Sequence, residues 1–191
     1  MTARAQYTPG PAGGAQIRKQ EGKNWTLILV RELRHPPEKV WQALTEPEHL
    51  REWAPFDADG SLSTQGNRAM LTTVGAPNLH VTETIVKRAE APKLLEYNWG
   101  ENEMRWELQP LAGGTRLTLW TSINRHFIAM GAAGWHICFD VLDRLLAGDP
   151  IGRSVGPGVM KVPGFQRLHA EYAEQFGVEM PKWAPKEPQE T

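Results

Sequence analysis

Two rhythms of apolar residues run along this chain, one with the period of a strand and one with the period of a helix. Near the start, over residues 24–34, Leu27, Leu29 and Arg31 share one face and Ile28 and Val30 the other, so both faces of a first strand are partly covered. Pro36 and Pro37 then suit the opening of a helix, and Val40, Trp41 and Leu44 form its stripe. Thr45 and Glu48 have capping-box spacing, which predicts a second short helix carrying Leu50 and Trp53.

Alternation then takes over. Strands are predicted at 60–64, 68–74, 79–88, 93–99, 104–111 and 115–123, separated by turn residues such as Gly75-Ala-Pro77, Ala91-Pro92 and Gly113-Gly114. The short spacings favour antiparallel hairpins. Leu95, Tyr97 and Trp99 share a face, as do Met104, Trp106 and Leu108, while Trp120 alternates away from Leu117 and Leu119 as an exposed contact. Residues 125–147 predict one long helix, with Trp135, Phe139, Leu142 and Leu146 on its apolar side and His136, Asp140, Asp143 and Arg144 opposite. After Gly148-Asp-Pro150 and a Gly/Pro-rich stretch, Phe165, Leu168, Tyr172 and Phe176 mark a shorter amphipathic helix that ends at Gly177. That stripe is expected to pack on the domain or on a second subunit.

A strand, a helix pair, a run of strands and one long helix describe a sheet that wraps around a helix and leaves a cavity between them. Residues 1–23 carry few large apolar side chains and read as a flexible tail, as do residues 178–191. One domain over residues 24–177 is left, with a core of 24–147 and an extension of 148–177. Lysine plus arginine number 21 against 22 acidic residues, which argues against electrostatically driven nucleic-acid binding. No apolar run is long enough to span a membrane. The N-terminus lacks a secretory core, and the single cysteine, Cys138, suits a reducing compartment, so a cytoplasmic location is expected.

The segments VRELRHPPEKVWQALTEPEHLREW, LLEYNWG, GGTRLTLW and GWHICFDVLDRLL, in that order, resemble the SRPBCC (START-like) superfamily. More narrowly they are similar to the branch named after the activator of heat-shock-protein-90 ATPase. The resemblance covers about residues 24–147. It implies an α+β helix-grip fold: a curved antiparallel sheet around a long C-terminal helix, with two short plug helices. To these this chain adds its C-terminal amphipathic helix. The resemblance also implies a cavity for a small apolar molecule, while relatives that are carriers, cyclases, hydrolases or chaperone partners leave the activity open. The 148–177 extension either covers the cavity mouth or extends an interface, which keeps a homodimer open.

The candidate lining of that cavity is Trp53, Phe56, Met70, Glu83, Trp99, Trp106, Trp135 and Phe139, from plug, sheet and helix. Eight tryptophans are also accounted for by core packing alone. Glu83 shares a strand face with Leu79, Val81 and Ile85, which makes it the candidate acid or base; a strand edge or an arginine partner such as Arg105 is the plainer account. His136 and Asp140 stand at i, i+4 and form a candidate proton-moving pair, against the plainer reading of a solvated or interface face. His126 projects to the same side without metal-ligand spacing, and Cys138 reads as a buried, inert thiol. No nucleophile elbow, HExxH, phosphate loop or dinucleotide fingerprint is present, and neither a metal nor a cofactor is called for. The expected function is binding of a small apolar or amphipathic molecule. A cyclase- or hydrolase-type enzyme using Glu83 and a chaperone-interaction protein are the alternatives.

Overall fold

The computed structural model describes residues 7–182. It is an α+β helix-grip. A six-stranded antiparallel sheet has the order β1-β2-β9-β8-β7-β6, and a three-stranded sheet has the order β3-β4-β5. The strands of the larger sheet are β1 (Ala15–Arg18), β2 (Asn24–Leu33), β6 (Arg88–Glu90), β7 (Leu94–Trp99), β8 (Asn102–Leu111) and β9 (Gly114–Asn124). Those of the smaller are β3 (Phe56–Ala58), β4 (Arg68–Thr73) and β5 (Val81–Ile85). Two plug helices, α1 (Pro37–Thr45) and α2 (Pro47–Trp53), fill one end. The long helix α3 (Ile128–Leu146) lies inside the sheet's curve, and α4 (Phe165–Phe176) packs on it from the other side.

The core follows the alternation read from the sequence. Leu27, Leu29 and Leu33 of β2, Leu117 and Leu119 of β9, and Met104, Trp106 and Leu108 of β8 are buried beneath α3. Both plug helices begin with proline at their first turn and have no side-chain cap. Thr45 does not start α2 as a capping box; its hydroxyl donates back to the Trp41 carbonyl of α1 at 2.9 Å. Residues 60–64 are not a strand. They form a loop that drops Leu62 into the core, with the Leu62 amide donating to the Thr45 carbonyl at 2.9 Å. The span 79–88 is split, giving β5 and part of β6.

Within residues 1–23, expected as a flexible tail, the structure holds a strand. Ala15–Arg18 pair with β2 and extend the sheet by one strand, in the register Ala15↔Leu29 to Arg18↔Thr26. Gly14 has φ +68°, and the Val30 amide donates to its carbonyl at 2.7 Å; a Cβ there would stand 2.6 Å from the Val30 oxygen. The Gln175 side chain of α4 donates to the Ala15 carbonyl at 2.8 Å, and Arg167 donates to the Pro9 carbonyl at 2.6 Å. Backbone pairing and polar contacts hold this segment, and Tyr7, Ala12, Ala15 and Ile17 add packing against the core. Beyond β1, the Arg18 guanidinium lies 4.7 Å over the ring of Trp120, which is half-buried on the outer sheet face rather than an open contact. Residues 1–6 and 183–191, the outer parts of both expected tails, lie outside the described residues, while Val178 and Met180 of the C-terminal one pack against the core.

The amphipathic stripe of α4 is placed on the domain itself: Phe165, Leu168, Tyr172 and Phe176 are buried. Deleting residues 1–18 should therefore destabilise the fold by about 2 kcal/mol or more, a fall in melting temperature of about 4–8 °C at this chain length. A calorimetric melt of the truncated protein that coincides with the full chain would count against the strand assignment.

Candidate functional site

The sheet-facing side of α3 changes character along its length. From Trp135 onward it presents Trp135, Phe139, Leu142 and Leu146, all buried. Before Trp135 it presents Gly131 and Gly134 among alanines. Side-chain volume is thus withdrawn from the first two turns, and a cavity of about 370 Å³ opens there. Gly131 receives the tip of Ile123, so a Cβ at Gly131 would stand 2.4 Å from its Cδ1, whereas a Cβ at Gly134 would meet nothing within 4 Å.

The cavity has three walls. The sheet contributes Trp99, Asn102 and Thr121–Ile123 from the ends of β7, β8 and β9. The helix side contributes Met130, Gly131, Gly134, Trp135 and Cys138, with Phe127 from the 3-10 turn Arg125–Phe127 that leads into α3. The roof is the extension: Ser154–Pro157, Val159 and Met160, with Pro55 completing the rim. Phe127 and Met160 are exposed, which places the mouth between them. Burial pushes the Cys138 thiol up to about 12, so it faces the cavity as a neutral group.

Two attachments hold the roof. Arg153 donates to both carboxylate oxygens of Asp57, at 2.6 and 3.4 Å, tying the roof to β3. Beside it the turn after β4 touches the roof backbone to backbone, where Gly75 and Gly156 both have positive φ. A Cβ on Gly156 would stand 2.9 Å from the Val74 carbonyl oxygen.

Of the candidate residues, Trp99 and Trp135 line the cavity. Trp53, Phe56, Trp106 and Phe139 are buried beside it and form its aromatic backing. Trp135 meets Trp106 at 5.7 Å between ring centroids, Trp99 and Phe139 at 6.3 Å and Trp53 at 6.5 Å. Phe56 packs on Trp99 at 5.2 Å. Their polar edges are satisfied internally: the Trp53 indole donates to the Ala43 carbonyl, that of Trp106 to the Tyr97 hydroxyl and that of Trp99 to the Thr73 hydroxyl.

Glu83 and Met70 are not at the cavity. They are register partners on β5 and β4, on the exposed face of the small sheet, where Glu83 pairs with Arg68 at 3.5 Å. The polarity of β5 is inverted relative to its composition. Val81 and Ile85 face solvent, while Thr84 is buried and its hydroxyl accepts from the Asn98 amide of β7 at 3.2 Å.

His136 and Asp140 are brought together, but not on a solvated face. Their side chains are 3.7 Å apart beneath the N-terminal segment and α4. Asp140 accepts from the Tyr7 hydroxyl at 2.6 Å and from the Arg31 guanidinium. His136 Nδ1 lies 2.8 Å from the Tyr172 hydroxyl, which donates to the Gly13 carbonyl at 2.9 Å. The Arg31 charge on the inner face of β2 is thereby explained: it reaches the helix carboxylate below it. Burial lowers the His136 pKa, with Arg31 and Arg167 adding to the effect and Asp140 and Glu171 opposing it. Burial alone lowers that of His169.

The sequence-level reading missed Asn102, Thr121, Met130 and the roof residues as lining. The signal for them was the small-residue run Gly131–Gly134 next to Trp135, which marks where the helix lacks side chains to fill the grip.

A family model for Activator of Hsp90 ATPase homolog 1-like protein matches residues 34–147, about three-fifths of the chain. The chain belongs to this family. No curated protein matches the sequence significantly. Among solved structures, a conserved protein of unknown function from Enterococcus faecalis, EF2215, is similar at a TM-score of 0.64 and 17% identity, covering 84% of this chain and 89% of that one. CalU16 from Micromonospora echinospora is similar at 0.59 and 20%, covering 90% and 97%. DynU16, from the dynemicin biosynthetic locus, is similar at 0.58 and 23%, covering 66% and 49%. These likenesses are of fold. The first two reach beyond the 34–147 family segment, so elements added to it here have counterparts in them.

Two outcomes are expected from this geometry. Because the folded histidines bind protons less readily than the unfolded chain, stability is fully present above about pH 6.5 and declines as pH falls through that value toward the lower folded pKa values. Denaturant melts at pH 7.5 and 5.5 should show that decline, and His136→Gln should reduce it; equal stability at both pH values would refute the assignment. Separately, Asp57→Asn should speed amide exchange at residues 154–160 several-fold while leaving exchange in β8 and β9 unchanged. Unaltered exchange in the roof would show that the Arg153 pair does not hold it.

Proposed function

We propose that this protein binds a small apolar or amphipathic molecule in the cavity between the end of the sheet, the first half of α3 and the 154–160 roof. The observation that carries this reading is a largely apolar space of about 370 Å³ opening at Phe127 and Met160. Its volume falls within the range of about 300–1,000 Å³ usual for small-molecule sites, which combine apolar walls with a few polar groups. The interlocked rings behind Trp135 support it further, since they give one wall a fixed shape before any ligand arrives.

The same geometry favours binding over chemistry driven by Glu83. The lining is supplied by apolar side chains with Asn102, Thr121, Ser122 and Ser154 among them, and Glu83 stands on another surface.

Gly134 provides the test. A leucine there points into open space, so Gly134→Leu should fill the cavity and keep the fold. Helix propensity favours leucine over glycine by roughly 0.8–1 kcal/mol, so the melting temperature should hold or rise. An apolar ligand found by native mass spectrometry should quench tryptophan fluorescence in the wild type, through Trp99 and Trp135, and raise its melting temperature with saturation. Gly134→Leu should abolish both responses. A folded variant that still gives them would place the ligand elsewhere.

A further inference from the structure

The cavity's polar groups are few, and most are already engaged. The Trp99 indole donates to Thr73, the Thr121 hydroxyl donates to the Met104 sulfur at 3.2 Å, and the Ser122 hydroxyl accepts from the Glu103 amide at 2.8 Å. Asn102 differs. It opens β8 in the phase of Met104, Trp106 and Leu108, all of which face inward, and it lies in the cavity wall. Its half-buried carboxamide has no hydrogen-bond partner among the described residues. It therefore offers two donors and an acceptor to whatever occupies the space.

Among the described residues, no Asp, Glu, Lys, Arg or His lines the cavity. The titratable group that these residues do bring to the wall, the Cys138 thiol, is held neutral by burial. A charged ligand would lose its water here and gain no counter-ion, which is unfavourable. An uncharged hydroxyl or carbonyl, by contrast, recovers a hydrogen bond at Asn102. The walls facing it are two indole rings, Trp99 and Trp135, and the thioethers of Met130 and Met160, which together suit a flat ring system.

Resting on the ligand-binding reading above, we propose that the cavity selects uncharged ring compounds bearing a hydroxyl or carbonyl group, and that Asn102 is the specificity-determining residue that holds that group. Anionic amphiphiles of the fatty-acid kind are thereby disfavoured.

Isothermal titration at pH 7 with naphthalene, 2-naphthol and 2-naphthoate tests this, since the three share one ring system and differ in the polar group. On the wild type, 2-naphthol should bind about fivefold more tightly than naphthalene, the worth of one buried hydrogen bond. The ionised 2-naphthoate should bind at least about tenfold more weakly than 2-naphthol. In Asn102→Leu, naphthalene affinity should persist, which also reports a folded cavity, while 2-naphthol and naphthalene become equal within about twofold. Naphthoate binding as tightly as naphthol in the wild type would overturn the selectivity and leave the ligand-binding reading standing. A naphthol preference retained in Asn102→Leu would overturn the role of Asn102. Failure of all three compounds to bind would overturn both this inference and the reading it rests on.

Discussion

Trp135 is where plug, sheet and long helix meet, and the interior depends on how its ring is held. Its indole stands between Trp53 of α2, Trp99 and Trp106 of the sheet, and Phe139 one turn further along α3. Edge-on and tilted contacts of this kind give aromatic pairs roughly 0.5–1.5 kcal/mol beyond the area they bury. The consequence is a helix fixed in depth and rotation at one point. On the C-terminal side of that point large side chains fill the grip. On the N-terminal side the glycines leave it unfilled, so the same residue closes the core and walls the cavity.

A second constraint acts on the far side of α3. His136 is buried and Asp140 largely so beneath the N-terminal segment and α4, so their charges and hydrogen-bonding groups need partners. Arg31 reaches Asp140 from β2, Tyr7 from the N-terminal segment, and Tyr172 reaches His136 from α4. Three distant stretches of chain are thus committed to one helix turn. This arrangement gives α3 almost no solvent face over its middle, and it fixes α4, whose preceding loop roofs the cavity.

Most of the architecture was legible in the sequence, because period-2 alternation in β7, β8 and β9 and the stripe of α3 are local properties that tertiary contacts do not override. The buried aromatic cluster was legible for the same reason. Glu83 was misplaced because β5 presents its aliphatic residues outward and its threonines inward, and composition alone reads that strand upside down. The N-terminal strand was hidden because backbone pairing and contacts to α4 do much of the holding, and its apolar residues Ala12, Ala15 and Ile17 are too few and too small to stand out in the sequence. Asn102 was hidden because a strand-end amide acquires meaning only when the opposing helix face is empty.

The pairing of Gly13 with Tyr172 and of Ala15 with Gln175 joins residues 159 and 160 positions apart. Bringing such distant points together carries a loop-closure entropy that grows with the logarithm of their separation, and contacts of this range slow the search for the native topology. The grip between sheet and α3 needs only the chain up to residue 146, whereas the covering of His136 and Asp140 waits for residues 165–176. Until they arrive, one turn of the central helix keeps its polar groups hydrated. The order of assembly is therefore written into where the covering helix sits in the chain: grip first, clasp last.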